Sequence, residues 1–281
     1  MNGRLQPVTT RFVQRFDRVD RVMHGSLMLS FLGLAATGLP LLFSTAPWAS
    51  WLSRLFGGPV VAGRLHRVFA IVMIAVFLAH LARLLHGIVV GKDYGLLWGP
   101  RSMVPQPRDL RDLNQHLRWF VGLGPRPSFE RYTYWEKFDY WAVFWGMAII
   151  GGSGLMLWFP EAFAAFLPGW VFNVALMVHG EEALLAVGFI FTIHFFNGHL
   201  RPEKFPMDMV IFTGRLTESD LRHERPAEFE RLSATGELED LIVGRPSERS
   251  WMAGRVFGTS AVLIGLTLVG LIVYAVTVYR L

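Results

Sequence analysis

Five long apolar blocks set this sequence apart from a soluble domain. They run from about Val22 to Phe43, Leu65 to Val90, Phe138 to Phe159, Phe172 to Leu200 and Val256 to Val278. Coiled at about 1.5 Å per residue, each is long enough to cross a hydrocarbon core of roughly 30 Å. The second and fourth blocks also hold His, Arg or Glu, residues that inside a membrane face a bundle interior. Charged residues make up 17% of the chain, where a soluble domain carries about a quarter, and the mean hydropathy is +0.37. No small-residue cleavage site follows the first block, so it reads as a retained helix. The expected fold is all-α and integral to the membrane: a four-helix transmembrane bundle plus a fifth transmembrane helix. Residues 1–215 are assigned to the four-helix domain, 216–255 to a polar cytoplasmic segment and 256–281 to the C-terminal helix.

Lys and Arg set the orientation. Five precede the first block: Arg4, Arg11, Arg15, Arg18 and Arg21. Eight lie between blocks two and three (Lys92, Arg101, Arg108, Arg111, Arg118, Arg126, Arg131 and Lys137), and nine lie from Arg201 to Arg255. The other side holds Arg54, Arg64 and Arg280. The N-terminus is therefore expected in the cytoplasm and the C-terminus in the periplasm of a prokaryotic inner membrane. This asymmetry explains the pI of 9.9 by topology and contact with membrane lipid head groups, without nucleic acid. Residues 44–64, with Trp48 and Trp51, read as an interfacial helix on the outer face. Thr217 to Leu241 reads as helical. No internal repeat or low-complexity tract is evident.

The chain has no cysteine. That excludes disulfides, thiolate-held iron–sulfur clusters and covalently attached c-type haem. Histidine is the remaining strong ligand, and there are nine. His116 and His223 fall in polar loops and read as solvated. His24 lies in the first block, His66, His80 and His86 in the second, and His179, His194 and His199 in or just after the fourth. An unpaired imidazole is costly in lipid, and neutral imidazole is the usual protein ligand for haem iron.

Spacing sharpens this reading. His66 and His80 are 14 residues apart, and His179 and His194 are 15 apart. At about 100° per residue these steps return to within about 40° and 60° of their starting face, about 21–23 Å along the axis. That suits two haems, one near each membrane surface. The first helix rises from inside and the second and fourth descend from outside, so His66 and His179 pair at the outer surface. His194 lies at the inner one, with either His24 or His80 opposite; geometry leaves that choice open.

The stretch Arg18-Val-Asp-Arg-Val-Met-His24, followed by an apolar span with Thr37-Gly38, resembles the first helix of a known family. So do Gly63-Arg64-Leu65-His66, Val178-His179 and Ile193-His194 at the second and fourth. The family comprises the cytochrome b (gamma) subunits of formate dehydrogenase, with the related thiosulfate reductase and hydrogenase cytochromes. The resemblance covers roughly residues 10–215. It implies two b-type haems, an inner one on His24 and His194 and an outer one on His66 and His179, exchanging electrons with quinone. Three features depart from the pattern. The fourth-helix spacing is one residue longer than in the formate dehydrogenase type. His80 is extra, and completes a His66/His80 plus His179/His194 set similar to the cytochrome b of quinol–cytochrome c reductases; a third haem on His80 is the further option. A fifth span follows the core.

Other polar residues extend the site. Arg64 and Arg67 flank His66 and suit haem propionates, whose carboxylates pair with guanidinium groups; Arg83 is a similar candidate near the inner side. Glu181 and Glu182 follow His179 and suggest a proton path or a bond to a ligand. His199 and Asn197, before Pro202, offer hydrogen bonds and proton exchange to a quinone headgroup. Gly146, Gly151, Gly152 and Gly154 suit close helix packing or room for a porphyrin. The expected protein is a dihaem electron-transfer subunit without a substrate-oxidising site of its own. Its partners would be other redox subunits, an iron–sulfur protein or a multihaem cytochrome c, with a periplasmic one docking near residues 44–64 and another subunit on the fifth span and residues 201–255. A haem-free transporter or channel with a histidine proton relay explains the intramembrane His and Glu but not the recurrent spacing. A histidine-box iron enzyme requires clustered HxxxH or HxxHH motifs, which the sequence lacks.

Overall fold

The computed structural model describes residues 10–279; Arg4 and Arg280, counted above for orientation, lie outside them. The elements run β1 (Phe12–Gln14), α1 (Arg18–Leu42), α2 (Pro47–Leu55), α3 (Pro59–Val89), α4 (Pro107–Phe120), α5 (Tyr134–Trp158), α6 (Trp170–Leu200), β2 (Arg215–Thr217), α7 (Glu218–Glu224), α8 (Pro226–Thr235), α9 (Glu237–Asp240), β3 (Ile242–Val243) and α10 (Glu248–Tyr279). Five of these helices, α1, α3, α5, α6 and α10, are long and apolar enough to cross a membrane. They are the five expected spans, with α3 and α10 beginning several residues earlier.

Two compact units divide the chain. One contains the spanning portions: Val22–Leu85, Asp139–Asp208 and Arg255 onward. Its buried core runs along α1 (Ala35, Leu39), α2 (Ala49, Leu52), α6 (Val187, Phe191, Phe195) and α10 (Val262, Leu268, Ala275). The fifth helix thus shares a seam with the first and the fourth. The expected helix after the first span is α2, which starts on Pro47. Trp48 is buried and Trp51 is 60% exposed, so only the first of the two tryptophans packs into the core.

The other unit gathers the described residues up to Arg21, His86–Phe138 and Met209–Gly254. These are the three segments that the Lys and Arg distribution assigns to one side of the membrane. A small antiparallel sheet in the order β2-β1-β3 joins the N-terminal strand to the segment after α6. Its strands are too short for alternation to reveal them in sequence. Beneath the sheet, Val13, Leu216, Leu221, Leu232 and Leu238 form a core. The stretch from Thr217 to Leu241, read as helical, holds three short helices. Arg225 leaves the helical region before Pro226, as a residue preceding proline tends to, and Gly236 ends α8 at φ +78°.

A buried ion network ties this unit together. Glu228, 2% exposed, accepts from Arg15 at 2.5 Å and pairs with Arg131 at 3.4 Å. Burial pushes the Arg15 guanidinium below its ordinary pKa, against the opposing charge of Glu228. Thr133 and Glu136 form a capping box at the start of α5: Thr133 N–H donates to Glu136 Oε2 at 2.8 Å and Glu136 N–H to Thr133 Oγ1 at 3.3 Å. His116, expected to be solvated, is buried instead. Its ring stacks on Phe120 at 4.4 Å and its Nδ1 meets the Tyr134 hydroxyl at 2.9 Å. His223 is exposed, as expected.

Candidate functional site: a histidine-lined helical bundle

His66 on α3 and His179 on α6 face each other, with ring centroids 6.2 Å apart and planes at 73°. A ligating imidazole nitrogen sits about 2 Å from its metal, and the ring centre lies about 1 Å further back. Two imidazoles on opposite sides of one iron therefore have centroids about 6 Å apart. The observed separation fits one iron between them.

The ring tautomers are fixed by their neighbours. Thr37 Oγ1 donates its proton to Gly33 O at 2.6 Å, so toward His66 Nδ1, 3.1 Å away, it acts as acceptor. His179 Nδ1 lies 3.0 Å from Ile150 O and 3.3 Å from Ser153 Oγ. The carbonyl only accepts, and Ser153 gives its proton to Ile149 O at 2.6 Å. Both histidines thus carry the proton on Nδ1 and present the Nε2 lone pair, the arrangement a metal-ligating histidine takes when its other nitrogen is held. A Cβ at Gly38 would meet His66 Cε1 at 3.0 Å, and one at Gly154 would meet His179 Cε1 at the same 3.0 Å. Glycine lets the backbones of α1 and α5 approach these rings.

His194 lies further along α6, at the end of a π-helical turn, Ile190–His194. A π turn closes i→i+5 hydrogen bonds and takes up about one residue more than an α turn. The 15-residue interval from His179 is thereby rephased toward the 14-residue interval of α3. His194 Nδ1 bonds Asp139 Oδ2 at 2.9 Å, so its Nε2 is also left open. Asp139 was not among the expected site residues. The signal for it was an acidic residue one position inside an apolar block, obscured by the adjoining Glu136 and Lys137.

The two candidates opposite His194 differ. His80 directs Nε2, the nitrogen open on the other three, at the Tyr140 hydroxyl 2.9 Å away, and packs against Phe144. His24 lies within electrostatic reach of both His194 and His199. His199 is buried beside Phe195, and Asn197 is half-buried. His86 is exposed. Arg64 and Arg67 are both exposed, and Arg67 stacks over Trp158 at 5.6 Å; Arg83 is exposed as well. Glu182 accepts from Trp145 Nε1 at 3.3 Å, while Glu181 is exposed. Among the described residues, no three His, Asp or Glu are grouped to hold a bare metal ion. Pairs of imidazoles suit an iron whose remaining positions are filled by a macrocycle.

A spanning helical bundle with inward imidazoles whose Nδ1 atoms are anchored has the donor set of a membrane cytochrome b. Residues 15–200 match the prokaryotic cytochrome b561 family, and the chain belongs to it. Haem b is accordingly its cofactor, and the protein is a multi-pass membrane protein. The formate dehydrogenase cytochrome b556(fdo) subunit of Escherichia coli K12 is 26% identical over 180 residues, 62% of this chain and 74% of the relative. The nitrate-inducible formate dehydrogenase cytochrome b556(Fdn) subunit of the same strain is 22% identical over 179 residues, 63% of this chain and 74% of the relative. The Shigella flexneri protein of that name aligns to the same extent.

Proposed function

We propose that the chain is the dihaem membrane subunit of a respiratory oxidoreductase complex, passing electrons between a partner redox subunit and the quinone pool. The observation that carries this reading is the His66/His179 pair, spaced for one iron and with both Nδ1 atoms hydrogen-bonded. Bound b-type haem supplies one-electron transfer within the membrane. The residues do the rest. Thr37 and the Leu34 carbonyl fix His66, and Ile150 and Ser153 fix His179, leaving Nε2 of each ring as the nitrogen that would hold the iron. Gly38 and Gly154 leave those rings their space. Arg64 and Arg67 are suited to propionate carboxylates at the same end.

For the inner haem we assign His194 and His24. The Tyr140 bond to His80 Nε2 favours His24, as does its proximity to His194. His199 and Asn197 are the candidates for hydrogen-bonding a quinone headgroup and exchanging its protons on that side. The N-terminus is assigned to the cytoplasm and the C-terminus to the periplasm, supported by the three basic segments folding into one unit. The names of the relatives support a complex with other subunits, one of which carries substrate oxidation; the proposed redox partner is an iron–sulfur protein or a multihaem cytochrome c. Residues 44–64 are its proposed periplasmic docking region.

A pyridine haemochrome assay on the purified protein should give two haems b per chain, and low-temperature EPR should give two low-spin signals. A folded protein without haem absorbance would end this reading in favour of a proton-relaying transporter.

A further inference from the structure

Three of the four assigned ligands hold their Nδ1–H on identified acceptors, and the acceptors are not alike. His66 gives its proton to neutral oxygens, Thr37 Oγ1 at 3.1 Å and the Leu34 carbonyl, and so does His179, to Ile150 O at 3.0 Å beside Ser153 Oγ. His194 gives its proton to a carboxylate, Asp139 Oδ2 at 2.9 Å. The carboxylate is 15% exposed, so solvent screens it only partly.

We infer that Asp139 is a positioning residue that sets the inner haem's reduction potential below the value a neutral acceptor would give; this rests on the reading of His194 as a ligand. A carboxylate acceptor makes the bond charge-assisted, roughly twice as strong as a neutral one. It draws the Nδ1 proton toward itself and leaves Nε2 a stronger electron donor. Its negative charge also favours the more positive, oxidised iron. Both effects act in one direction. The reduction in question is the gain of one electron by ferric iron from an external mediator, with no bond made or broken and no proton moved. The outer pair, held by neutral oxygens, lacks this bias. The chain therefore builds a difference between its two haems from a single side chain on α5.

The test is an anaerobic redox titration of the purified haem-loaded protein, followed optically and by EPR. Asp139→Asn should shift one haem toward reduction by about tenfold or more, which is about 59 mV upward for a one-electron couple, and leave the other in place. Asp139→Ser supplies the kind of neutral hydroxyl that Thr37 gives His66 and should shift the same haem in the same direction, so a poorly assembling Asp139→Asn does not remove the test. Asp139→Glu should return the potential toward the parent value, which a packing role alone would not produce. Unchanged potentials in both neutral variants, or movement of the other haem, would overturn the inference. His194→Ala separates this outcome from failure of the underlying reading. Loss of one low-spin signal upholds His194 as a ligand, whereas two surviving signals remove the ligand assignment itself.

Discussion

The outer site predicts a large response to the addition of one methyl group. In Gly154→Ala the new Cβ would stand 3.0 Å from His179 Cε1 and 3.3 Å from its Nδ1, where ordinary contact begins at 3.4 Å. The ring cannot simply swing aside, because Ile150 O and Ser153 Oγ hold its Nδ1. It must give by a few tenths of an ångström, carrying Nε2 with it, and a metal–nitrogen bond tolerates about 0.2 Å. Overpacking of this kind costs about 1–3 kcal/mol, equivalent to roughly 5- to 150-fold in haem affinity. Gly38→Ala meets His66 at the same 3.0 and 3.3 Å, so it should act on the same haem. A Cβ at Gly152, two residues before Gly154, meets nothing within 4 Å, so Gly152→Ala should be silent. The assay combines the haem-to-protein ratio with low-temperature EPR of all three variants. Both site variants should weaken or shift one and the same low-spin signal. Signals of different haems responding in the two variants, or a Gly152→Ala as damaging as Gly154→Ala, would refute the reasoning.

Two further outcomes follow from the same geometry. His24→Ala should abolish one low-spin signal while His80→Leu keeps both, read by EPR; the opposite pattern would make His80 the inner ligand, and loss in both would point to a third haem or a supporting role for His80. Glu228→Ala leaves Arg15 and Arg131 without their buried partner and should cost about 3–5 kcal/mol, seen as early proteolysis of the 209–254 segment with the haem spectrum retained; a variant as resistant as the parent would show that the network is not structural.

The spans and their histidines were legible because lipid imposes strict terms. Crossing it takes about twenty apolar residues, and an imidazole inside it must have a reason. What escaped notice was set by contacts made across the fold. His116 looked like a loop histidine, yet Trp119, Phe120, Phe129, Tyr134 and Trp135 surround it; the density of aromatics along 119–135 was the clue. Asp139 looked like one more charge at a helix end, and only the fold brings it to His194. The π turn at Ile190–His194 leaves no sequence pattern beyond the extra residue, which read as a departure from the family spacing and which the turn accounts for geometrically. The small sheet pairs residues more than 200 positions apart through strands of two and three residues, below the length at which alternation can be read.

The structure also contains a correspondence that the sequence does not display. Thr37-Gly38 on α1 and Ser153-Gly154 on α5 do the same work for the histidine on the next spanning helix, His66 on α3 and His179 on α6. Each hydroxyl donates to the carbonyl four residues back at 2.6 Å, leaving a lone pair for Nδ1–H. Each glycine admits the ring at the same distances. Toward the other end of these helices the likeness breaks: 13 residues before Thr37 stands His24, and 14 before Ser153 stands Asp139. There α5 provides hydrogen-bonding partners instead of a ligand, Asp139 for His194 and Tyr140 for His80. The outer device predicts matched responses, because its two copies share the same redundancy. His179 has Ile150 O besides Ser153, and His66 has the Leu34 carbonyl besides Thr37, each carbonyl three residues before its hydroxyl. Thr37→Val, nearly isosteric but without the hydroxyl, and Ser153→Ala each remove one of two acceptors, so each should cost about 0.5–1.5 kcal/mol. Thr37→Ser and Ser153→Thr, which keep the hydroxyl, should leave the EPR signal of the outer haem in place. If the variants that keep the hydroxyl disturbed that signal as much as those that lose it, hydrogen bonding to Nδ1 would not be what holds these rings.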